Sequence, residues 1–271
     1  MKVTGTFEIA NVIGKLESIS SDVHSCLMGQ SFAVPVLPAR DVEVRDIRLH
    51  PPKVGLSLKE GQARMMHDLA SIELQAMELA FRTLCEFPEA PLEFRHQLAD
   101  LTLNEASHLR SCLQQIQELG FEWGHWPVHL GLWQATHAQD SLLDRILIVH
   151  RYLEGSGLDA GDKLLRRMHG VIRNGVTETL ETIQREEIDH VKFGSDWYRR
   201  LCRESRLDPD RDFNARMWQL RVKLPKRIEP INLELRHRAG FTDLELETVQ
   251  SIREDFLRPL TPGESQERAS P

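Results

Sequence analysis

Two Glu-x-x-His pairs, Glu105/His108 and Glu187/His190, place a carboxylate and an imidazole on the same face of a helix. Each pair lies within a line of apolar residues that recur at steps of three and four, at positions typical of Leu or Val. Carboxylates in an apolar core need a compensating charge. The two pairs therefore indicate a buried metal site.

The Glu-x-x-His spacing alone is weak evidence, because the chain has 12 His and five such matches. Glu93/His96 lies off the neighbouring apolar line, and Glu122/His125 lies among Trp, Gly and Pro residues that disfavour a helix. We interpret these four as surface or loop residues. The fifth match is Glu234/His237.

Two further glutamates complete a repeat. Glu73 lies at the centre of one apolar stripe and precedes Glu105 by 32 residues, and Glu154 ends another stripe and precedes Glu187 by 33. Each half therefore reads as a Glu helix followed by a Glu-x-x-His helix. The predicted metal ligands are Glu73, Glu105, His108, Glu154, Glu187 and His190.

This set of side chains predicts the kind of metal. Four buried carboxylates repel one another, and two divalent ions balance their charge while two neutral imidazoles complete the coordination. A Glu from each of two helices and a Glu-x-x-His from each of two others is the ligand set of ferritin-like di-iron and di-manganese proteins. Carboxylate and imidazole without thiolate disfavours zinc. We expect two iron ions, with manganese as the alternative, and O2 as co-substrate.

The apolar lines predict an all-α fold, a ferritin-like four-helix bundle with an N-terminal extended segment and a C-terminal helical extension. Ser57 and Glu60 form a capping-box pattern at the start of the first bundle helix. Gly155 and Gly157 predict a break after the third. The predicted bundle helices cover about residues 57–87, 91–119, 140–154 and 176–204, with a crossover at 120–139 and a shorter helix at 162–173.

Four regions follow from this pattern. Residues 1–56 form an N-terminal wrapping segment, 57–206 the di-metal bundle, and 207–258 a C-terminal helical extension. Residues 259–271 are rich in Pro, Ser and Glu, which predicts a disordered tail.

The composition is that of an ordinary globular protein, with 271 residues, 41% hydrophobic and 28% charged. No leader peptide or membrane-length apolar run is recognisable, and the four Cys show no metal-type clustering, so we expect a cytoplasmic protein with reduced thiols and no membrane partner. The net charge of -7 disfavours a general nucleic-acid surface. We expect a small-molecule substrate, and a homodimer remains open.

Five segments together resemble a bacterial family of ferritin-like proteins of unknown function, over about residues 60 to 245. The resemblance implies a four-helix fold and a metal site, and it supplies no substrate. The segment associated with that family has Ala-Arg after the ligand glutamate, whereas Gly155-Ser156 follows Glu154 here. The segments are HDLASIELQAME from His67, NEASH from Asn104, PVHLGLW from Pro127, LEGSGLD from Leu153 and REEIDH from Arg185.

Residues next to the predicted ligands are candidates for orienting them. In related di-iron bundles an acidic residue just before one Glu-x-x-His serves the histidine of the opposite helix, so the resemblance implies that Glu186 holds His108 and that Asn104 faces His190. The alternative is that both are flanking residues. His150, one turn before Glu154, is either an additional ligand or a core histidine, and we favour the latter.

The leading functional hypothesis is a di-iron oxidoreductase that activates O2 to oxidise or hydroxylate an organic substrate. A layout similar to that of tRNA-modifying hydroxylases makes a modified nucleoside one conceivable substrate. The alternatives are a ferroxidase or iron-handling protein, and a non-catalytic bundle that metal ions stabilise.

Overall fold

A computed structural model describes residues 3–168, 173–227 and 229–258. In these ranges the chain is helical and forms no β-strand, with two isolated β-bridges, Val3 to Phe32 and Val44 to Val128. No helix in them has the length and hydropathy needed to cross a membrane. The helices are α1 (Val12–Leu27), α2 (Lys59–Glu86), α3 (Leu92–Glu118), α4 (Leu142–Ile146), α5 (Glu154–Met168), α6 (Gly175–Glu204), α7 (Pro209–Leu220), α8 (Leu233–Arg238) and α9 (Asp243–Leu257).

The helices predicted at about 57–87 and 91–119 are present as α2 and α3, which pack against each other. Pro91 is the N-cap of α3, and Gly120 ends it with a φ of 87°, which a glycine adopts without strain. The predicted capping box is wrong, because the N-cap of α2 is Leu58 and makes no side-chain bond. The loop folds back there, and the Gly55 carbonyl occupies the space beside Gly61.

The N-terminal segment contains a helix, α1, where the sequence analysis predicts extended chain. Its buried apolar residues follow a helical spacing, and the Asn11 side chain accepts a hydrogen bond from the Gly14 amide at 3.0 Å. Buried Lys15 then pairs with Glu78 of α2 at 2.8 Å. This ion pair ties α1 to α2. The buried residues of α1 are Val12, Lys15, Leu16, Ile19, Val23 and Cys26.

The predicted helix break at Gly155 and Gly157 is wrong. Helix α4 runs through a π-helical segment, Leu147–Leu153, directly into α5, which also includes the start of the shorter helix predicted at 162–173. Gly155 lies within α5, and the guanidinium of Arg236 fills the space that a side chain at this position would need. Residues 169–172 of that shorter helix lie outside the described residues.

The helix predicted at 176–204 is present as α6, and the region after it contains the separate helices α7, α8 and α9. Within the extension α7 packs on α9. Glu245 of α9 is fully buried and forms a two-point ion pair with Arg151, at 2.9 and 2.7 Å. The predicted disordered tail, 259–271, lies outside the described residues.

The described residues group into two compact units. The first consists of the residues before 143 together with 164–183, and the second of 143–163 together with those from 184 onward. Helices α5 and α6 contribute residues to both. Three predicted ligands, Glu73, Glu105 and His108, therefore belong to the first unit, and the others belong to the second.

Candidate metal centre

The two Glu-x-x-His pairs selected from the sequence are more buried than the other three pairs. Glu105, His108 and His190 are buried and Glu187 is half-buried, although all four are polar. Charged side chains are almost never buried without a partner, so these buried residues need a group that compensates their charge. The six exposed residues of the remaining pairs are Glu93, His96, Glu122, His125, Glu234 and His237.

In the first unit, the carboxylates of two predicted ligands lie close to an imidazole nitrogen of a third. The Nδ1 atom of His108 lies 3.4 Å from Oε2 of Glu73 and 3.5 Å from Oε2 of Glu105. Burial raises the pKa of the nearby Cys112 thiol, and the negative charges of Glu73 and Glu105 raise it further. Helices α2 and α3 therefore bring a concentrated negative charge and a nitrogen donor to one point.

In the second unit, α6 also brings the carboxylate and the imidazole of a Glu-x-x-His pair together. The Nδ1 atom of His190 lies 3.2 Å from Oε1 of Glu187. The remaining predicted ligand, Glu154, begins α5, and both of its carboxylate oxygens contact Nδ1 of His150, at 2.8 and 2.9 Å. The predicted ligand Glu154 therefore contacts a histidine of the π-helical segment.

Among the residues that the structure describes, one group could hold a metal ion, and it consists of the two selected pairs. Each of Glu105, His108, Glu187 and His190 offers a ligand atom, and these atoms lie within 4.8 Å of one another. Two ligand atoms about 2.1 Å from an ion and at right angles are about 3 Å apart, close to the separations within each half. The donor types and spacing therefore fit a divalent metal ion.

A glutamine that the sequence analysis missed binds the crossover to α2. Gln75 is buried two residues after Glu73, and its side chain bonds three backbone groups of the crossover. Its Nε2 donates to the His129 carbonyl at 2.9 Å, and its Oε1 accepts from the Leu132 amide at 3.2 Å. The available signal was a polar amide between the apolar residues Leu74 and Ala76.

The two predicted orienting residues are half-buried. The Glu186 carboxylate lies 3.4 Å from the guanidinium of its neighbour Arg185, and both side chains are substantially exposed. Asn104 lies on α3, directly before Glu105. Their proposed contacts with His108 and His190 stay predictions.

Comparison with known proteins provides the family. Residues 8–247 match the family described as "Protein of unknown function (DUF455)". The chain belongs to the DUF455 family. It is similar to an uncharacterised protein of Haemophilus influenzae, with 28% identity over 211 residues that cover 75% of this chain and 73% of the relative. No solved structure matches it.

The DUF455 match includes all six predicted ligands and the crossover that Gln75 binds. It ends at residue 247, inside α9. Because the family description assigns no activity, the chemistry of this DUF455 protein has to be argued from its own side chains.

Proposed function

We propose that this DUF455 protein is a ferritin-like di-iron carboxylate oxidoreductase, with manganese as the alternative metal, that uses O2 to oxidise or hydroxylate a small organic molecule. One observation carries the proposal. The two Glu-x-x-His pairs selected by their apolar surroundings are the four residues whose ligand atoms lie within 4.8 Å of one another.

The proposed arrangement is a four-helix bundle in which each helix contributes at one level. Glu73 comes from α2, Glu105 and His108 from α3, and Glu187 and His190 from α6. Glu154 lies at the junction of the π-helical segment and α5. A Glu from each of two helices and a Glu-x-x-His from each of two others is the ligand set of ferritin-like dinuclear proteins.

Charge supports two ions. The ligand set has four carboxylates, and two divalent ions carry the matching positive charge, while neutral imidazoles add none. The donors are oxygen and nitrogen, which suit iron and manganese. Burial and the negative charges of Glu73 and Glu105 raise the pKa of the adjoining Cys112 thiol well above its usual range.

The protein's own task is to hold the ligands and to keep water away. When bound, two ferrous ions supply the electrons for reducing O2. Leu101 and Cys112, one turn before Glu105 and one turn after His108, are buried, and so is Ile183 before Glu187. A dry environment strengthens electrostatic interactions and limits the loss of oxidising equivalents to solvent.

Elemental analysis tests the proposal directly. Protein purified without chelators and without a nickel column should contain two iron or manganese ions per chain. After anaerobic loading with Fe(II), rapid mixing with O2 should produce a transient charge-transfer absorption band. Protein that holds no metal, or only zinc and forms no band, would contradict the proposal.

A matched pair of variants on α3 provides the control. Glu105→Gln removes a buried carboxylate of the proposed site, whereas Glu93→Gln alters an exposed Glu-x-x-His residue of the same helix. We expect Glu105→Gln to lower the iron content and abolish the band, and Glu93→Gln to leave both unchanged. Equal effects of the two substitutions would show that the buried carboxylates do not bind the metal.

A further inference from the structure

His150 occupies an unusual backbone setting beside a proposed ligand. It lies in the π-helical segment Leu147–Leu153, and its side chain is fully buried. A π-helical turn contains one residue more than an α-helical turn, and such turns are frequent at functional sites. The segment ends where Glu154 begins α5.

The polar contact of His150 is with the Glu154 carboxylate. Its Nδ1 atom lies 2.8 and 2.9 Å from the two carboxylate oxygens. Because an ionised carboxylate only accepts hydrogen bonds, Nδ1 carries the proton and donates it. The other ring nitrogen, Nε2, is buried and has no hydrogen-bond partner in the described part of the chain. In the described part of the chain, the imidazole of His150 therefore directs its hydrogen bonding to Glu154.

Helix α6 packs directly against the backbone of His150. The Cβ atom of His150 occupies the space where a side chain on Gly194 would begin, and the Phe193 ring meets the imidazole edge-on, with ring centroids 5.1 Å apart. Gly194 lies one turn after the proposed ligand His190 on the same helix. Only glycine allows this close approach, so the position of the imidazole is set by backbone packing.

We propose that His150 is a positioning residue, whose Nδ1–H group holds the Glu154 carboxylate in the orientation in which it binds a metal ion. The inference rests on the proposed function. It differs from both readings of the sequence, because His150 is neither an additional ligand nor a passive core histidine. Without this donor, the Glu154 side chain would populate several rotamers. The entropy lost in ordering it would then oppose metal binding.

Two substitutions separate the hydrogen bond from the packing. His150→Phe keeps an aromatic ring beside Phe193 and removes the donor. His150→Asn retains an amide N–H close to the position of Nδ1. Loss of an orienting group of this kind typically weakens metal binding about 10- to 100-fold. We expect a loss of that size in His150→Phe and near-normal binding in His150→Asn.

Titration with Mn(II), with the free ion measured by electron paramagnetic resonance, gives both the number of ions and their affinities. The native protein should bind two ions per chain, and His150→Phe should weaken one of them selectively. Equal binding by His150→Phe and the native protein would overturn the inference, and so would equal weakening in both variants. If the native protein binds no Mn(II) or Fe(II), the proposed function itself fails.

A backbone variant tests the same inference without altering the imidazole. Gly194→Ala adds a methyl group against His150 and should displace the ring from Glu154, weakening the same Mn(II) ion. Gly157→Ala is its control, because nothing lies within 4 Å of a Cβ atom at that helical position. Thermal unfolding of each metal-free variant identifies any loss of fold. A folded Gly194→Ala protein with native Mn(II) affinity would contradict the role of His150.

Discussion

The guanidinium of Arg236 occupies the space that a side chain on Gly155 would need. Arg236 is buried and cannot easily move, because it bonds Asp159 at 2.8 Å and the Arg151 carbonyl at 3.2 Å. Arg236 of α8 therefore leaves no room for a side chain at Gly155, the second residue of α5. The glycine is required by tertiary packing, although it weakens the helix locally.

We expect Gly155→Ala and Gly157→Ala to change stability in opposite directions. The first displaces Arg236 and should destabilise the protein by about 1–3 kcal/mol, typical of overpacking. The second fills open space on an exposed helical position and should stabilise it by up to about 1 kcal/mol. Urea unfolding followed by circular dichroism measures both. Shifts of the same sign would contradict the packing argument.

The acid sensitivity of the protein should depend on His67. Burial, together with the positive charge of nearby Arg64, lowers the pKa of His67 from 6.5 to about 4. The unfolded chain therefore binds a proton between these two values that the folded chain does not. The resulting stability is present above pH 6.5 and is lost as the pH falls toward 4, by about 2 kcal/mol at pH 5.

His67→Gln tests this dependence. Glutamine does not titrate, and its carbonyl can replace Nε2 as acceptor for the Gly124 amide, which donates to it at 3.1 Å. We expect the difference in unfolding free energy between pH 7.5 and pH 5 to be about 2 kcal/mol smaller in the variant. An unchanged difference would assign the acid sensitivity to other groups.

Metal removal should lower the thermal stability through Glu105. An ion present at about 100 times its Kd stabilises the folded state by about 2.7 kcal/mol. Dialysis against a chelator should therefore lower the Tm of the native protein, whereas the Tm of Glu105→Gln should respond much less. Calorimetry with and without added Mn(II) measures the shift, and Glu93→Gln should behave as the native protein does.

The buried ion pair between Arg151 and Glu245 should be strongly coupled. Removing one partner of such a pair typically costs 3–5 kcal/mol, and replacing both costs less than the sum. We expect Arg151→Met and Glu245→Leu each to destabilise the protein and the double variant to be more stable than additivity requires. Arg199 also contacts Glu245, at 2.8 Å, so a remainder of the Glu245→Leu effect should persist without Arg151.

Long amphipathic stripes made α2, α3 and α6 predictable from sequence, and they also separated the two buried Glu-x-x-His pairs from the exposed ones. Helix α1 was predictable too, because its buried residues recur at steps of three and four. The sequence analysis missed it by giving weight to the extended segments around it.

Other features depend on contacts between distant parts of the chain. The close approach of Arg236 to Gly155 joins residues that are far apart in sequence and arises only from tertiary packing. The π-helical segment adds one residue to a turn and leaves no compositional signal. The sequence placed His150 one turn before Glu154, but it did not show the hydrogen bond between them.

Helices α2 and α3 are consecutive in the chain and joined by a short turn, and they alone supply Glu73, Glu105 and His108. Contacts between neighbouring segments require little loop closure and form early in folding. We therefore expect half of the ligand set to assemble while the later helices are still being synthesised. During that interval the nascent chain would present a partly formed, negatively charged site. The coordination of an ion bound there would be completed only after the second half of the chain is synthesised and folded.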